Sequence, residues 1–208
     1  MLSQGCEWRA IDTPQARWNS VYQYFLRWSK TGVWRKLWQR LSRKLRRGLR
    51  FIDSTFVKAH RGAANPRGGQ SAQGLGRTKG GLNTKLHVVV DLNRTPENLL
   101  LSPGNEADIT HAAKLLEKSS GSRLVADKGY DSDALREGLY EENIEPCIPP
   151  KSNRVDPLPY SKAAYRKRHK VENYFERIKT FRRVATRYDK LAATFLGFVY
   201  LATIVVGQ

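Results

Sequence analysis

The 208-residue sequence predicts an α/β fold, a mixed five-stranded sheet flanked by helices and preceded by a small basic all-helical segment. Three observations predict it. Apolar residues recur every three or four positions in the first fifty residues, then alternate with period two from Arg50 onward. Past residue 105, short apolar runs take turns with helical patterns, as strand-helix units do. All five tryptophans lie in the first 38 residues, which marks that segment as a packing unit of its own.

Residues 13–29 put Trp18, Val21, Tyr22, Phe25 and Trp28 on one apolar stripe of a helix, which Thr31-Gly32 breaks. A second helix is expected from Val33 to Arg47, with Trp34, Leu37, Leu41 and Leu45 inward and Lys or Arg elsewhere. Helix, glycine turn and basic helix have the outline of a helix-turn-helix, so residues 1–48 read as a DNA-binding segment; a helical pair with a solubilising basic face has the same outline. The first strand covers Phe51 to His60. Residues 61–81 hold seven glycines, several cations and no acid, which reads as a mobile loop that buries no core and could lie along phosphates. Strands follow at Leu82–Asp91 and Asn98–Ser102, then a helix from Asp108, its expected cap, to about Ser119. Leu124–Asp127 is the fourth strand, Asp131 or Ser132 caps the next helix, and Ile144–Ile148 is the fifth strand. Pro149-Pro150 ends it, and a polar stretch leads to a basic helix around Glu172. This order matches a ribonuclease H-like sheet over residues 49–208, in which the first and fourth strands are neighbours.

The charge narrows the function. Lys and Arg number 37 against 19 acids, a net +18 with a pI near 10.2, which points to a polyanionic partner. Residues 27–50 carry ten cations and no acid, and residues 161–190 eleven against three acids, while 91–145 lean acidic. Two basic zones around a less basic middle suit a nucleic-acid groove. Cys6 and Cys147 are too few for a disulfide framework, which fits a reducing cytoplasm. His60, His87, His111 and His169 lack zinc-site spacing. The apolar run Leu191–Val206 falls short of a membrane span and reads as a buried helix, and no signal peptide is visible.

Three acids stand out. In a helix, Tyr165, Arg168, Glu172 and Lys179 fall within a wedge about 60° wide, putting one carboxylate and two cations on one surface. That suits a place where Mg²⁺ and phosphate meet, and equally a salt-bridged solvated face. Asp53 shares a strand face with residues 51, 55 and 57 and needs a partner if buried, for which a metal serves. Asp127 ends an apolar strand just before Gly129, at a sheet rim where α/β sites form.

The sequence resembles the DDE transposases of bacterial insertion sequences. The likeness rests on Phe51-Ile52-Asp53-Ser54-Thr55 with Val57-Lys58-Ala59-His60, on Gly76 to Lys85, on Ala126-Asp127-Lys128-Gly129-Tyr130-Asp131, and on His169 to Phe175 followed by Phe181 to Lys190. Tyr165, Arg168, Glu172 and Lys179 match the family's Y-R-E-K spacing. Gly5-Cys6-Glu7-Trp8-Arg9 resembles a string that more chain usually precedes, so a late, truncated or frameshift-derived start is expected. The resemblance implies that Asp53, Asp127 and Glu172 are the catalytic acids and hold two Mg²⁺ ions, with Mn²⁺ able to substitute. It implies metal-dependent cleavage and strand transfer at element ends, and DNA contacts by Tyr165, Arg168, Lys179, Lys79, Lys85, Arg182 and Arg183. Element ends and target DNA would be the partners, the protein acting as a dimer or higher oligomer in the nucleoid of a bacterial cytoplasm. Two other readings remain: a DNA-binding remnant or regulator without catalysis, and a Mg²⁺ nuclease of the same fold that does not join ends.

Overall fold

A computed structural model describes residues 1–11, 13–41, 48–117, 119 and 121–207. Helices α1 (Trp18–Lys30) and α2 (Val33–Leu41) come first, then strands β1 (Leu49–Ala59), β2 (Gly76–Thr78), β3 (Gly81–Asp91) and β4 (Pro96–Pro103). Helix α3 (Ala112–Leu116), β5 (Arg123–Val125), α4 (Asp133–Glu141) and β6 (Glu145–Cys147) alternate after them. The chain ends with α5 (Lys162–Tyr165), α6 (His169–Lys179), α7 (Arg182–Ala185), β7 (Thr186–Arg187) and α8 (Ala192–Gly207).

The sheet has the mixed pairing that the element order implies. β1 is antiparallel to β3 and parallel to β5, β3 is antiparallel to β4, and β5 is parallel to β6. The first and fourth expected strands, β1 and β5, are therefore neighbours. Two short strands raise the expected five to seven: β2 extends the edge of β3 beyond β4, and β7 joins β1 at Lys58–Ala59 beyond the end of β5. Between those two partners, residues 52–57 of β1 have no strand on that edge among the described residues.

Alternation in β1 puts Phe51 and Val57 on one face and Ile52 on the other, and two cores form accordingly. The Phe51 face is covered by α6, α7 and α8, the Ile52 face by α3 and α4. Both faces of β3 are covered, so Gly81–Asp91 is almost wholly buried. The tryptophan-rich segment does not keep a core to itself. Phe25 stacks on Phe198 with ring centroids 4.4 Å apart and Trp38 on Tyr200 at 5.1 Å, so α1 and α2 share the α8 core. Gly197 permits this: a Cβ there would stand 2.8 Å from Ser29 Oγ and 3.0 Å from Trp34 Cδ1. Trp38 is the buried residue of α2, whereas Leu41 is exposed. The expected continuation to Arg47, with Leu45, lies outside the described residues.

The glycine-rich stretch 61–81 departs from its composition. It forms turns and the strand β2, and both Ala63 and Leu75 are fully buried. Two contacts tie it to the end of the chain. Arg187, with no exposed surface, reaches the Gly74 carbonyl at 3.5 Å and also donates to the carbonyls of Asp189 and Lys190. Gln73 Oε1 accepts from Ala192 N–H at 2.8 Å and so caps α8.

Candidate active site

The parallel register aligns Phe51 with Val125. Continued by two residues, it sets Asp127 beside Asp53, just where the chain leaves β5 and β1 loses its neighbour. Asp127 opens a tight turn by accepting Gly129 N–H through Oδ1 at 2.8 Å. On the same face of β1, α5 and α6 bring up Arg168. One guanidinium nitrogen donates to Asp53 Oδ2 at 2.6 Å, and another donates to Glu172 Oε1, so a single cation links two of the three acids. Lys179, two turns further, spends two of its protons on β1, at Thr55 Oγ1 (2.6 Å) and the unpaired-edge carbonyl of Phe56 (3.0 Å).

Burial pushes the Asp53 carboxyl above the usual carboxylate range, and the charge of Asp127 adds to this against the pull of Ser54 N–H and Arg168. Burial likewise lowers the Lys179 ammonium. Arg168 is raised by Asp53 and Glu172 although burial opposes it. Asp53 is only 17 % exposed while Glu172 is 48 % exposed, so the acids run from a sheet floor out to solvent. Such a graded carboxylate group can draw a divalent cation and a phosphodiester to one surface. The donor set, all hard carboxylate oxygen, fits Mg²⁺ or Mn²⁺. Among the described residues no three acid, His or Cys groups already converge as a metal cage; Arg168 stands between Asp53 and Glu172.

The cations expected on DNA divide. Arg182 and Lys79 are exposed, Lys79 on the turn joining β2 and β3. Tyr165 is half-buried, edge-on to Tyr160 with centroids 5.6 Å apart. Lys85 and Arg183 are turned inward. Lys85 donates to Asp108 at 2.9 Å and to the Glu106 carbonyl at 2.8 Å because β3 is covered on both faces. Arg183 is 4 % exposed, held by Asp189 at 3.2 Å and by the Cys6 carbonyl at 2.9 Å. Asp108 is therefore an ion-pair partner, not the expected helix cap, and a 3₁₀ turn replaces the first turn of that helix. Of the two residues expected to cap α4, Ser132 stands at the N-cap position, without a side-chain bond there, whereas Asp131 is buried against Arg136 at 2.9 Å, Arg154 at 3.0 Å and Lys151 N–H at 2.8 Å.

Sequence reasoning passed over Tyr130. Its hydroxyl is buried without a partner among the described residues, and burial, then the charges of Asp108, Asp53 and Asp127, push the phenol upward. The signal was its position three residues past Asp127, on the turn that positions that acid.

Two family models described as "Transposase DDE domain" match the chain, over residues 44–157 and 124–207. A Brucella ovis protein assigned as the transposase of insertion sequence element IS6501 is 34% identical over 130 residues, 60% of this chain and 98% of that protein. One from Burkholderia cepacia assigned to element IS402 is 26% identical over 135 residues, covering 59% of this chain and 62% of the relative. The transposase for element IS1106 of Neisseria meningitidis is 36% identical over 78 residues, 37% of this chain and 27% of its own length. No helix among the described residues is long and apolar enough to cross a membrane. With two matching domain models and a relative spanned almost end to end, the chain belongs to the DDE transposases of bacterial insertion sequences.

Proposed function

We propose that this transposase cuts DNA at the ends of an insertion element and joins the freed 3′ ends to target DNA, using Asp53, Asp127 and Glu172 as its catalytic acids. What supports this is the meeting of Asp53 and Asp127 at the unpaired stretch of β1, with Glu172 tied to them through Arg168. Two Mg²⁺ ions, or Mn²⁺, would be held by these acids and would supply charge stabilisation to the attacking and leaving oxygens. Asp53, fixed in the sheet, sets the position of the reacting phosphate, and exposed Glu172 adjusts to it. Arg168 can exchange its carboxylate bonds for a phosphate oxygen, and Lys179 lies one helical stripe further along the same path. Tyr165, Arg182 and Lys79 contact DNA outside the cut, and residues 1–48 grip it ahead of the catalytic domain of residues 49–208. The DNA is that of a bacterial cytoplasm, and pairing of two ends calls for a dimer or larger assembly.

The test combines purified protein, Mg²⁺ or Mn²⁺ and labelled DNA carrying the element ends, with Asp127→Asn and Glu172→Gln alongside. Metal-dependent nicking and joined product are expected for the wild type alone, with binding nearly intact in both variants because affinity comes from Lys and Arg on phosphates. Nicking without joined product would leave a nuclease, and binding without nicking a DNA-binding remnant.

A further inference from the structure

At the far end of β1 from the acids lies a cavity of about 440 Å³, within the range that holds small ligands. Trp8, Trp18, Tyr22 and Tyr188 line it together with the exposed cations Arg9 and Lys190. Tyr188 is held firmly in place: the His60 ring lies against it at 5.1 Å and the buried Arg183 guanidinium at 5.6 Å. Arg183, anchored by Asp189, also lies over Trp8 at 5.8 Å and so ties the two rings together. Arg9 covers the Trp18 ring at 5.7 Å.

From this we propose that the cavity receives an unpaired nucleobase of the bound DNA strand. Aromatic rings offer stacking surfaces to any base, and the flanking cations take the adjoining phosphates. Glu7 on the lining would repel a phosphate inside the cavity and accept from a base amino group, so the occupant is the base. β1 measures the spacing. His60 follows Asp53 by seven residues, about 23 Å at strand rise, which is about seven nucleotides along a strand of duplex DNA. Along that path stand Lys179 on Thr55 and exposed Lys58 and Arg61. The proposal rests on the reading that the chain acts on DNA.

The test is fluorescence anisotropy with labelled single-stranded 20-mers, one complete and one with a run of abasic sites, at fixed salt. The full-length protein should bind the complete strand about tenfold more tightly than the abasic one. Trp18→Ala and Tyr188→Leu should bring that ratio close to one, and Tyr188→Phe, which keeps the ring, should preserve it. In end-bearing DNA with a single abasic site moved stepwise, the loss should peak about seven nucleotides from the cut. Equal affinity for complete and abasic strands in the wild type would overturn the proposal, as would a ratio that neither Trp18→Ala nor Tyr188→Leu alters. Loss of the ratio in Tyr188→Phe as well would show that the ring does not stack, with the same result. If neither strand nor duplex DNA bound at all, the DNA reading itself would fall; binding of both strands alike removes only the base site.

Discussion

Asp131 carries more of this molecule's stability than its place beside Asp127 suggests. Burial pushes its carboxyl upward, yet Lys151 N–H, Arg154 and Arg136 together hold it down at about 2. Asp131→Asn leaves the buried Arg136 guanidinium without its counter-charge, and a loss of about 3 kcal/mol is expected in urea unfolding. His87 acts in the opposite pH range. Burial lowers it from 6.5 to about 4, with His111 and Lys85 adding to that and Asp108 opposing. Its folded value lies below its unfolded one, so the unfolded chain takes up the proton first as pH falls from 6.5. The contribution is whole above pH 6.5 and is lost on the way to pH 4, on the order of 2–3 kcal/mol. Thermal melts across that range should show this slope, and His87→Gln should flatten it. The three proposed acids stand out in the sequence because each interrupts an apolar or basic pattern. Lys85, Arg183, Asp108 and Asp131 were not legible, since their partners lie from 5 to 177 residues away at separations that no local period encodes.

At the level of elements, the strands were readable from alternation, and the β1–β5 adjacency from their order. β2 and β7 were not: Gly76–Thr78 sits in a glycine-rich stretch with no apolar run to mark it, and the two residues of β7 are too few to show a period. The glycine-rich stretch misled for a related reason: composition reports what a segment can bury by itself, and its order comes from bonds to Arg187 and to the start of α8, elsewhere in the chain. Arg187→Met removes three carbonyl bonds made inside the protein, and each stranded carbonyl costs about 1–3 kcal/mol. Limited trypsin digestion should then cut at Arg67 or Arg77 much faster than in the wild type, and an unchanged rate would show the stretch to be held by its own turns. The helical pair depends on a single absent side chain. Gly197→Leu forces Ser29 and Trp34 away from α8, with a cost of about 1–3 kcal/mol and a changed near-ultraviolet signal from the tryptophans.

Across the whole molecule, charge and topology act together. A net charge of +18 makes DNA affinity steeply dependent on salt; with six to ten phosphates neutralised, binding should fall about 10³–10⁵-fold between 50 and 200 mM salt. A shallow dependence would mean that the basic zones face away from DNA. The gap along β1 has a further consequence. A strand edge left bare over residues 52–57 offers its amides to any other strand, including β1 of another molecule, and proteins commonly block such edges with lysine. Lys179 already occupies the Phe56 carbonyl there. The residue expected to greet phosphate thus also guards the chain against its own copies, so Lys179→Met should shift the DNA-free protein toward aggregates in sedimentation velocity: an opening beside the acids is safe in solution only while a charge stands in it.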